Sequence, residues 1–413
     1  MFRSSKGALQ IKKTMITIDD IRQARANIAA HIHKTPLIHS NSLSNLSGAE
    51  VYLKLENLQK TGSFKVRGAF NKLLAVAEER VIAASMGNHA QAVAYAAGKL
   101  RKKAAIVMPE TAAIVKQEAT RGYGAEVILH GEKFNDALDF ALSRRDAVFI
   151  HPFDDDAVIA GQGTAGLEIV EDLTHIDAVL VPVGGGGLIA GVAAAVKDLS
   201  PRTQVIGVQA SAAPSACVSF GEHAVCDRVP GNTIADGIAV GRVGERTLAL
   251  MGRHVDRMFT VAEDPIARSI LLFLERKKLV VEGAGAVPLA ALLEYAEEFR
   301  GQRVVLVVSG GNIDFTLIDR IILKGLITSN RIGVFSVVID DVAGSLHSLT
   351  GIIGAQKANI LNVAHDRMAS DVAVGRAKVV FTVEVRGKDH LAEVFAALRD
   401  KGFAVSAGEH TRH

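Results

Sequence analysis

One lysine, Lys65, stands in surroundings that favour covalent chemistry. It lies between Phe64 and Val66, directly after the turn Thr61-Gly-Ser63 and at the predicted start of a helix through Phe70. Apolar surroundings disfavour the charged form of an amine, and a neutral amine can attack a carbonyl carbon to form a Schiff base. On these residues alone, a surface lysine lying over the phenylalanine ring is the simpler interpretation. The case for a nucleophile therefore depends on the rest of the chain.

Four consecutive glycines follow a predicted strand and open a predicted helix. The loop consists of Gly184, Gly185, Gly186, Gly187 and Leu188. Glycines let backbone N–H groups turn towards one anion, and the start of a helix adds its positive end, so the loop is typical of a phosphate site. The same residues fit a dinucleotide motif ending at Ala190, but the acid expected about 20 residues further on is missing, since the next strand ends near Gln209. We interpret a second glycine match, at Gly161, Gly163 and Gly166, as structural.

Two further motifs follow predicted strands. The segment Ser85-Met86-Gly87-Asn88-His89 starts a helix, and its N–H groups and polar side chains are suited to a carboxylate or a ring hydroxyl. A capped helix with a partly buried histidine is the alternative. Ser309 follows the run 304–308 and could donate to a heterocyclic nitrogen or close a turn.

Predicted strands and helices alternate along most of the chain, as in α/β folds. The β-rich runs are 51–55, 81–85, 104–109, 125–131, 148–153, 178–183, 205–210 and 303–308. We expect two open parallel-sheet α/β domains within 17–328, a smaller one at about 51–153 inserted in a larger one of 17–50 and 154–328. Such sheets bind ligands at the carboxyl ends of their strands. Residues 331–413 follow the order β-α-β-β-α-β of a ferredoxin-like domain.

Composition excludes several other classes. With a net charge of +3 and no long basic run among its 413 residues, the chain shows no sign of nucleic-acid binding. No apolar run is long enough to span a bilayer. Its two cysteines, Cys217 and Cys226, fit inert thiols in a reducing cytoplasm, and no metal site is expected. Residues 1–16 are expected to be an N-terminal extension.

Taken in this order, the motifs resemble the fold-type II family of pyridoxal-phosphate enzymes, most closely the threonine and serine dehydratases. The resemblance covers about residues 17–325, and the segment Thr61-Gly-Ser-Phe-Lys65-Val-Arg-Gly-Ala69 carries most of it. It implies that Lys65 binds pyridoxal 5′-phosphate covalently, that Phe64 lies against the ring and that Asn88 binds the ring hydroxyl. It further implies that Gly184 to Leu188 hold the phosphate and that Ser309 bonds the pyridine nitrogen.

The implied reaction is an α,β-elimination that converts L-threonine, and also L-serine, to a 2-oxo acid and ammonia. The freed amine of Lys65 would remove the α-proton, and the substrate is expected at Ser85, Gly87, Asn88 and His89. Met86 has no exchangeable proton, which argues against a racemase. The preference among threonine, serine and 3-hydroxyaspartate stays open, as does a biosynthetic or catabolic role.

The C-terminal part resembles an ACT domain, an amino-acid-sensing module. The resemblance implies an effector such as isoleucine near Gly344 and Asn359 at a subunit interface, and a homo-oligomer, either a dimer or a tetramer. Ala343 stands where the ACT turn usually has proline. Two other functions remain open: a β-replacement or threonine-synthase-like reaction on the same fold, and a cofactor-binding amino-acid sensor without turnover.

Overall fold

Residues 15–408 are described by the computed structural model, and their contacts divide the chain into two units, Met1–Ile313 and Asp314–His413. The predicted extension at residues 1–16 lies outside the described residues except for Met15 and Ile16. No helix within residues 15–408 is both long and apolar enough to cross a membrane.

The strands of the first unit form two sheets. In chain order these strands are β1 Leu37–His39, β2 Glu50–Leu55, β3 Arg80–Ala84, β4 Lys103–Met108, β5 Glu126–Leu129, β6 Val148–Phe149, β7 Ala178–Pro182, β8 Gln204–Ala210, β9 Arg257–Val261 and β10 Arg303–Val308. One sheet has the order β1-β2-β10-β7-β8-β9 and is parallel except for β1, while β5-β4-β3-β6 is parallel throughout. Two parallel-sheet α/β domains were predicted, and this part of the fold class is confirmed.

Helices follow most strands and cover both sheets. They are α1 Ile18–Ile28, α2 Asn41–Ser47, α3 Lys65–Ala75, α4 Asn88–Lys99, α5 Ile114–Gly122, α6 Phe134–Ser143, α7 Asp156–Asp172, α8 Gly187–Leu199, α9 Ser215–Glu222, α10 Glu245–His254, α11 Glu263–Leu272, α12 Gly283–Glu294 and α13 Ala296–Phe299. Burial on both faces explains why the strands are almost continuously apolar, as in Val304–Val308 of β10, which is fully buried. Three helices begin at motifs singled out in the sequence. Helix α3 starts at Lys65, α4 at Asn88 and α8 at Gly187.

Glycines bring α7 into close contact with its two neighbours. A Cβ on Gly161 would lie 2.7 Å from the Cα of Gly68 in α3, and one on Gly163 would lie 2.9 Å from the carbonyl oxygen of Gly191 in α8. Since real Cβ atoms do not approach so closely, only glycine allows this packing. The glycine match at residues 161–166 therefore has a structural explanation, inside a helix that begins at Asp156.

The second unit contains one antiparallel sheet and three helices within residues 314–408. Its elements are α14 Phe315–Thr328, β11 Ile332–Asp340, α15 Ser345–Ala355, β12 Asn359–Asp366, β13 Arg376–Glu384, α16 Lys388–Asp400 and β14 Val405–Ala407. The strand order β12-β13-β11-β14 is that of a ferredoxin-like domain, as predicted. Helix α14 contacts β11 and therefore belongs to the second unit, which begins after Ile313. The sequence placed the limits later, at 17–328 and 331–413, and these limits stay a prediction.

Candidate active site

Lys65 is the first residue of α3 and is partly buried. The turn before it requires Gly62, whose φ is +71° and whose Cβ would lie 2.5 Å from Asn312 Oδ1. The lysine Nζ donates to the carbonyl oxygen of Pro152 at 2.8 Å and lies 5.2 Å from the centroid of the Phe64 ring. Burial lowers the pKa of the Lys65 amine to about 8, although the Glu282 carboxylate opposes this shift. A minor but appreciable fraction of the amine is therefore neutral near physiological pH, far more than for an ordinary lysine.

A buried ion network anchors the helix that carries this lysine. Arg67, two residues further on, is completely buried. Its guanidinium donates to the Glu56 carboxylate at 2.7 and 2.8 Å and to the Glu168 carboxylate at 2.7 and 2.8 Å. Lys54 Nζ also bonds Glu168 at 2.5 Å. The cations Lys54 and Arg67 thus balance the anions Glu56 and Glu168. Their ion pairs connect the start of α3 to the end of β2 and to α7.

The glycine loop lies between β7 and α8, as expected. Gly186 has a φ of +93°, a conformation that favours glycine. Thr247 Oγ1 donates to the carbonyl oxygen of Gly185 at 2.7 Å and fixes that peptide. At the start of α8 the first N–H groups have no partner within the helix, so they are available to an anion.

A loop at Pro152 and Phe153 connects the lysine to the glycines. The Pro152 carbonyl accepts from Lys65, and a Cβ on Gly185 would lie 2.4 Å from the Phe153 ring. His151 Nδ1 accepts from the backbone N–H of Phe153 at 3.2 Å and of Asp154 at 2.8 Å. Because these bonds turn the chain, the strand predicted at 148–153 ends at Phe149. Burial lowers the pKa of His151, which keeps the accepting nitrogen unprotonated.

The segment from Ser85 to His89 links β3 to α4. Ser85 Oγ accepts from the N–H of Gly87 at 3.2 Å. His89 is buried, and its Nε2 lies 2.9 Å from the carbonyl oxygen of Ile150, so this nitrogen carries the proton. Burial and the nearby Lys65 lower the pKa of His89 to about 3. The imidazole is therefore neutral and is not an acid available to a substrate.

Ser309 follows the last residue of β10 and is 2% exposed. Its carbonyl oxygen accepts from the N–H of Phe64 at 3.0 Å, and Ser63 pairs with Gly310 as an isolated bridge. These two contacts bring the end of β10 beside the start of α3. Through its backbone, Ser309 thus lies next to the turn that presents Lys65.

The sequence prediction missed Glu282, which precedes α12 and is 3% exposed. Asn88 Nδ2 donates to its two carboxylate oxygens at 2.8 and 3.0 Å. Burial raises the pKa of Glu282 to about 7, with a further rise from Asp236. One signal in the sequence was available: Glu282 is a lone acid in the apolar run 279–287.

Within residues 15–408, no three His, Cys, Asp or Glu side chains are placed to hold a metal ion together. Both cysteines, Cys217 and Cys226, are free thiols. Burial raises the pKa of the Cys217 thiol, which makes it a poor nucleophile.

A cavity of about 310 Å³ in the second unit contains one of the two residues predicted to bind an effector. Its lining includes Gly344 in the loop before α15, together with His365 and Arg367. The ring nitrogen Nε2 of His365 is buried and has no hydrogen-bond partner within residues 15–408. Asn359, the other predicted residue, lies at the start of β12 and donates to Glu384 at 3.3 Å.

Comparisons with known proteins agree with this geometry. The sequence profile of the family described as "Pyridoxal-phosphate dependent enzyme" matches residues 28–310. An L-threonine ammonia-lyase of Thermotoga maritima is 47% identical over 399 residues, which cover 95% of this chain and 99% of that protein. An L-threonine ammonia-lyase of Geobacter sulfurreducens is 42% identical over 392 residues, covering 93% of this chain and 98% of that protein. Both relatives therefore extend across the two units.

Among solved structures, a T.th. threonine deaminase has a TM-score of 0.70 and 44% identity to this chain. The alignment covers 73% of this chain and 99% of that one. The processed form of threonine deaminase isoform 2 of Solanum lycopersicum has a TM-score of 0.70 and 38% identity to this chain. The alignment covers 75% of this chain and 96% of that one.

Proposed function

This chain belongs to the family of pyridoxal-phosphate-dependent enzymes, and from that premise we propose that it is an ammonia-lyase that converts L-threonine to 2-oxobutyrate and ammonia. L-Serine, which gives pyruvate, is the second substrate that we expect. The observation that carries the proposal is the Lys65 amine, whose pKa burial lowers to about 8 and which lies beside a glycine loop. The chain that holds it is 47% identical over 95% of its length to an L-threonine ammonia-lyase.

The residues at the site fit pyridoxal phosphate. The hydroxyls of Thr61 and Ser63 are buried and have no hydrogen-bond partner within residues 15–408, so the turn before Lys65 can accept a polar ligand. Gly184 to Gly187 carry no side chains of their own, and the start of α8 favours a doubly charged phosphate. We assign the phosphate to this loop, the ring hydroxyl to Asn88 and the pyridine nitrogen to Ser309. Phe64, at the N-cap of α3, is assigned to the ring face.

When bound, the cofactor supplies an aldehyde that combines with amines and a ring that delocalises the electron pair left at the substrate Cα. With a substrate bound, the free Nζ of Lys65 would be the base that takes the α-proton. The Pro152 carbonyl, 2.8 Å from Nζ, orients the amine and accepts one of its hydrogens. His89 is neutral and is therefore not assigned as an acid in the reaction. Met86 offers no proton on a second side, which favours elimination over racemisation.

The test is to add L-threonine to the purified holoenzyme and to follow 2-oxobutyrate, with Lys65→Ala in parallel. We expect keto acid from the unmodified protein and a rate at least about 100-fold lower from the variant, since a positioned base contributes 10²–10⁴-fold. A bound cofactor without keto acid would refute the proposal. Added sulfide would then show whether the enzyme performs β-replacement, and an effector titration whether it is a sensor.

The second unit supports a proposal about regulation. We propose that it is an ACT domain and that the cavity beside Gly344 binds an amino acid such as isoleucine. Arg367, which lies in its lining and bonds Asp341 at 2.8 Å, is a suitable partner for a carboxylate. We further propose a cytoplasmic homo-oligomer, a dimer or a tetramer. A solution mass equal to one chain would refute the oligomer.

A further inference from the structure

The orientation of the Asn88 amide is fixed by a chain of hydrogen bonds. Asn312 Nδ2 donates to the carbonyl oxygen of Thr61 at 2.9 Å, which identifies that end of the Asn312 side chain as its NH₂ group. The same Nδ2 lies 2.8 Å from Asn88 Oδ1. Oδ1 is therefore the acceptor, and the NH₂ group of Asn88 points at the Glu282 carboxylate.

Glu282 is held on several sides without an ion-pair partner. Asn88 and the backbone N–H of Asn312 donate to its carboxylate, and a Cβ on Gly310 would lie 2.3 Å from its Oε1. Within residues 15–408, no cationic group forms a salt bridge with it. Burying a carboxylate without an ion-pair partner costs stability, so the position of Glu282 calls for an explanation in function.

Three charged groups face this carboxyl from the elements around it. Lys65 at the start of α3 is near enough for Glu282 to oppose the lowering of the lysine pKa. Asp236 and Lys116, which pair with one another at 2.8 Å, act on Glu282 with opposite signs. The other polar groups in contact with it, the amides of Asn88 and Asn312, do not titrate. Protonation of the Glu282 carboxyl therefore removes a negative charge that acts on Lys65 and changes the acceptor of the Asn88 hydrogen bonds.

We propose that Glu282 is a positioning residue for pyridoxal phosphate. The two Glu282 oxygens share one N–H of the Asn88 amide, which leaves the second N–H for the ring oxygen, and the charge of the carboxyl reaches the cofactor through that amide. This inference rests on the proposed function only in taking Asn88 as the ligand of the ring oxygen. A purely structural carboxyl, bonded to Asn88 and Asn312 to hold two loops together, would lower stability when removed but would leave the spectrum of the cofactor unchanged.

The experiment records the near-ultraviolet and visible absorbance of the holoenzyme from mildly acidic to mildly alkaline pH. It compares the unmodified protein with Glu282→Gln and with Glu263→Gln, a matched control whose carboxylate accepts from the N–H of Ile234 at 2.8 Å. We expect a spectral change with a midpoint near neutrality that E282Q abolishes and E263Q retains. The dissociation constant of pyridoxal phosphate for the apoprotein should rise roughly tenfold in E282Q, as for one charge-assisted hydrogen bond.

A double-mutant cycle tests whether the effect passes through Asn88. In an Asn88→Ala background, E282Q should leave the dissociation constant unchanged. The same loss with and without Asn88, or an unaltered spectral midpoint in E282Q, would overturn the proposal. If E282Q does not fold, Glu282→Asp replaces it as the test variant, because it keeps the carboxylate charge but moves it. A midpoint of the spectral change equal to that of the unmodified protein would then contradict the proposal. These readouts need no turnover, so failure to convert threonine would refute the proposed function alone.

Discussion

Lys65 is the residue whose behaviour depends most on its surroundings. Burial lowers the pKa of its amine from 10.5 to about 8, so the neutral, reactive fraction increases as the pH rises through 8. We expect the rate at which the apoprotein takes up pyridoxal phosphate to rise with pH and to level off above that value. Stopped-flow absorbance measures this rate. Uptake that is flat from pH 6 to pH 9 would contradict the pKa, and Lys99→Ala, an exposed lysine, should leave the curve unchanged.

Some of the individual residues of the candidate site can be predicted from the sequence. Lys65 and the glycine loop were predicted because each lies in a short motif, and the case for Lys65 as a nucleophile came from the other motifs of the chain. Glu282 was missed because its role depends on Asn88 and Asn312, which lie 194 residues before it and 30 residues after it. Such partners meet only after the strands are assembled side by side.

The helix that carries the lysine depends on a buried guanidinium. Arg67→Ala would leave Glu56 and Glu168 buried with less compensating charge, and we expect a loss of about 3–5 kcal/mol in the free energy of unfolding. Chemical denaturation measures this loss. Arg121→Ala, which removes a mostly exposed pair with Glu118, should cost about 1 kcal/mol or less. Equal effects of the two substitutions would show that the buried network does not stabilise the fold.

Packing between α3 and α7 gives a second prediction for the elements. Gly161→Ala would place a methyl group 2.7 Å from the Cα of Gly68, and overpacking of this kind costs about 1–3 kcal/mol. Because the backbone of α3 must move, Lys65 should also lose activity. Gly122→Ala in α5 meets nothing within 4 Å and should change the midpoint of thermal unfolding little. A fully stable and active Gly161→Ala protein would show that the contact is not needed.

The whole chain combines two units with separate hydrophobic cores. The T.th. threonine deaminase is matched over 99% of its length by 73% of this chain, so a protein of that size can exist without the remainder. We expect a chain ending at Ser329 to convert threonine but to lose any response to an amino-acid effector. Arg367→Ala in the full-length chain should weaken that response without altering basal turnover. An unchanged effector titration in both variants would refute regulation through the second unit.

The α/β architecture of the first unit could be predicted from the sequence. Alternating apolar strands and helices predict parallel sheets because both faces of each strand must be covered. The two strands that no prediction contained, β1 and β9, both lie at sheet edges, where Leu37–His39 is short and Arg257–Val261 is partly exposed. The observed division after Ile313 follows from the contacts of α14 with β11, while the predicted limits of 17–328 and 331–413 stay a prediction.

His151 offers a practical route to the apoprotein. Its Nδ1 accepts two backbone N–H groups in the loop whose Pro152 carbonyl bonds Lys65. Since burial lowers its pKa below the ordinary 6.5, this loop keeps its shape at neutral pH and loses it when acid converts the accepting nitrogen to a donor. Brief dialysis at an acidic pH well below 6.5 should therefore release the cofactor while far-ultraviolet circular dichroism is unchanged. Return to neutral buffer with fresh cofactor should restore the preparation, which would allow isotope-labelled or chemically altered cofactors to be exchanged into it without unfolding.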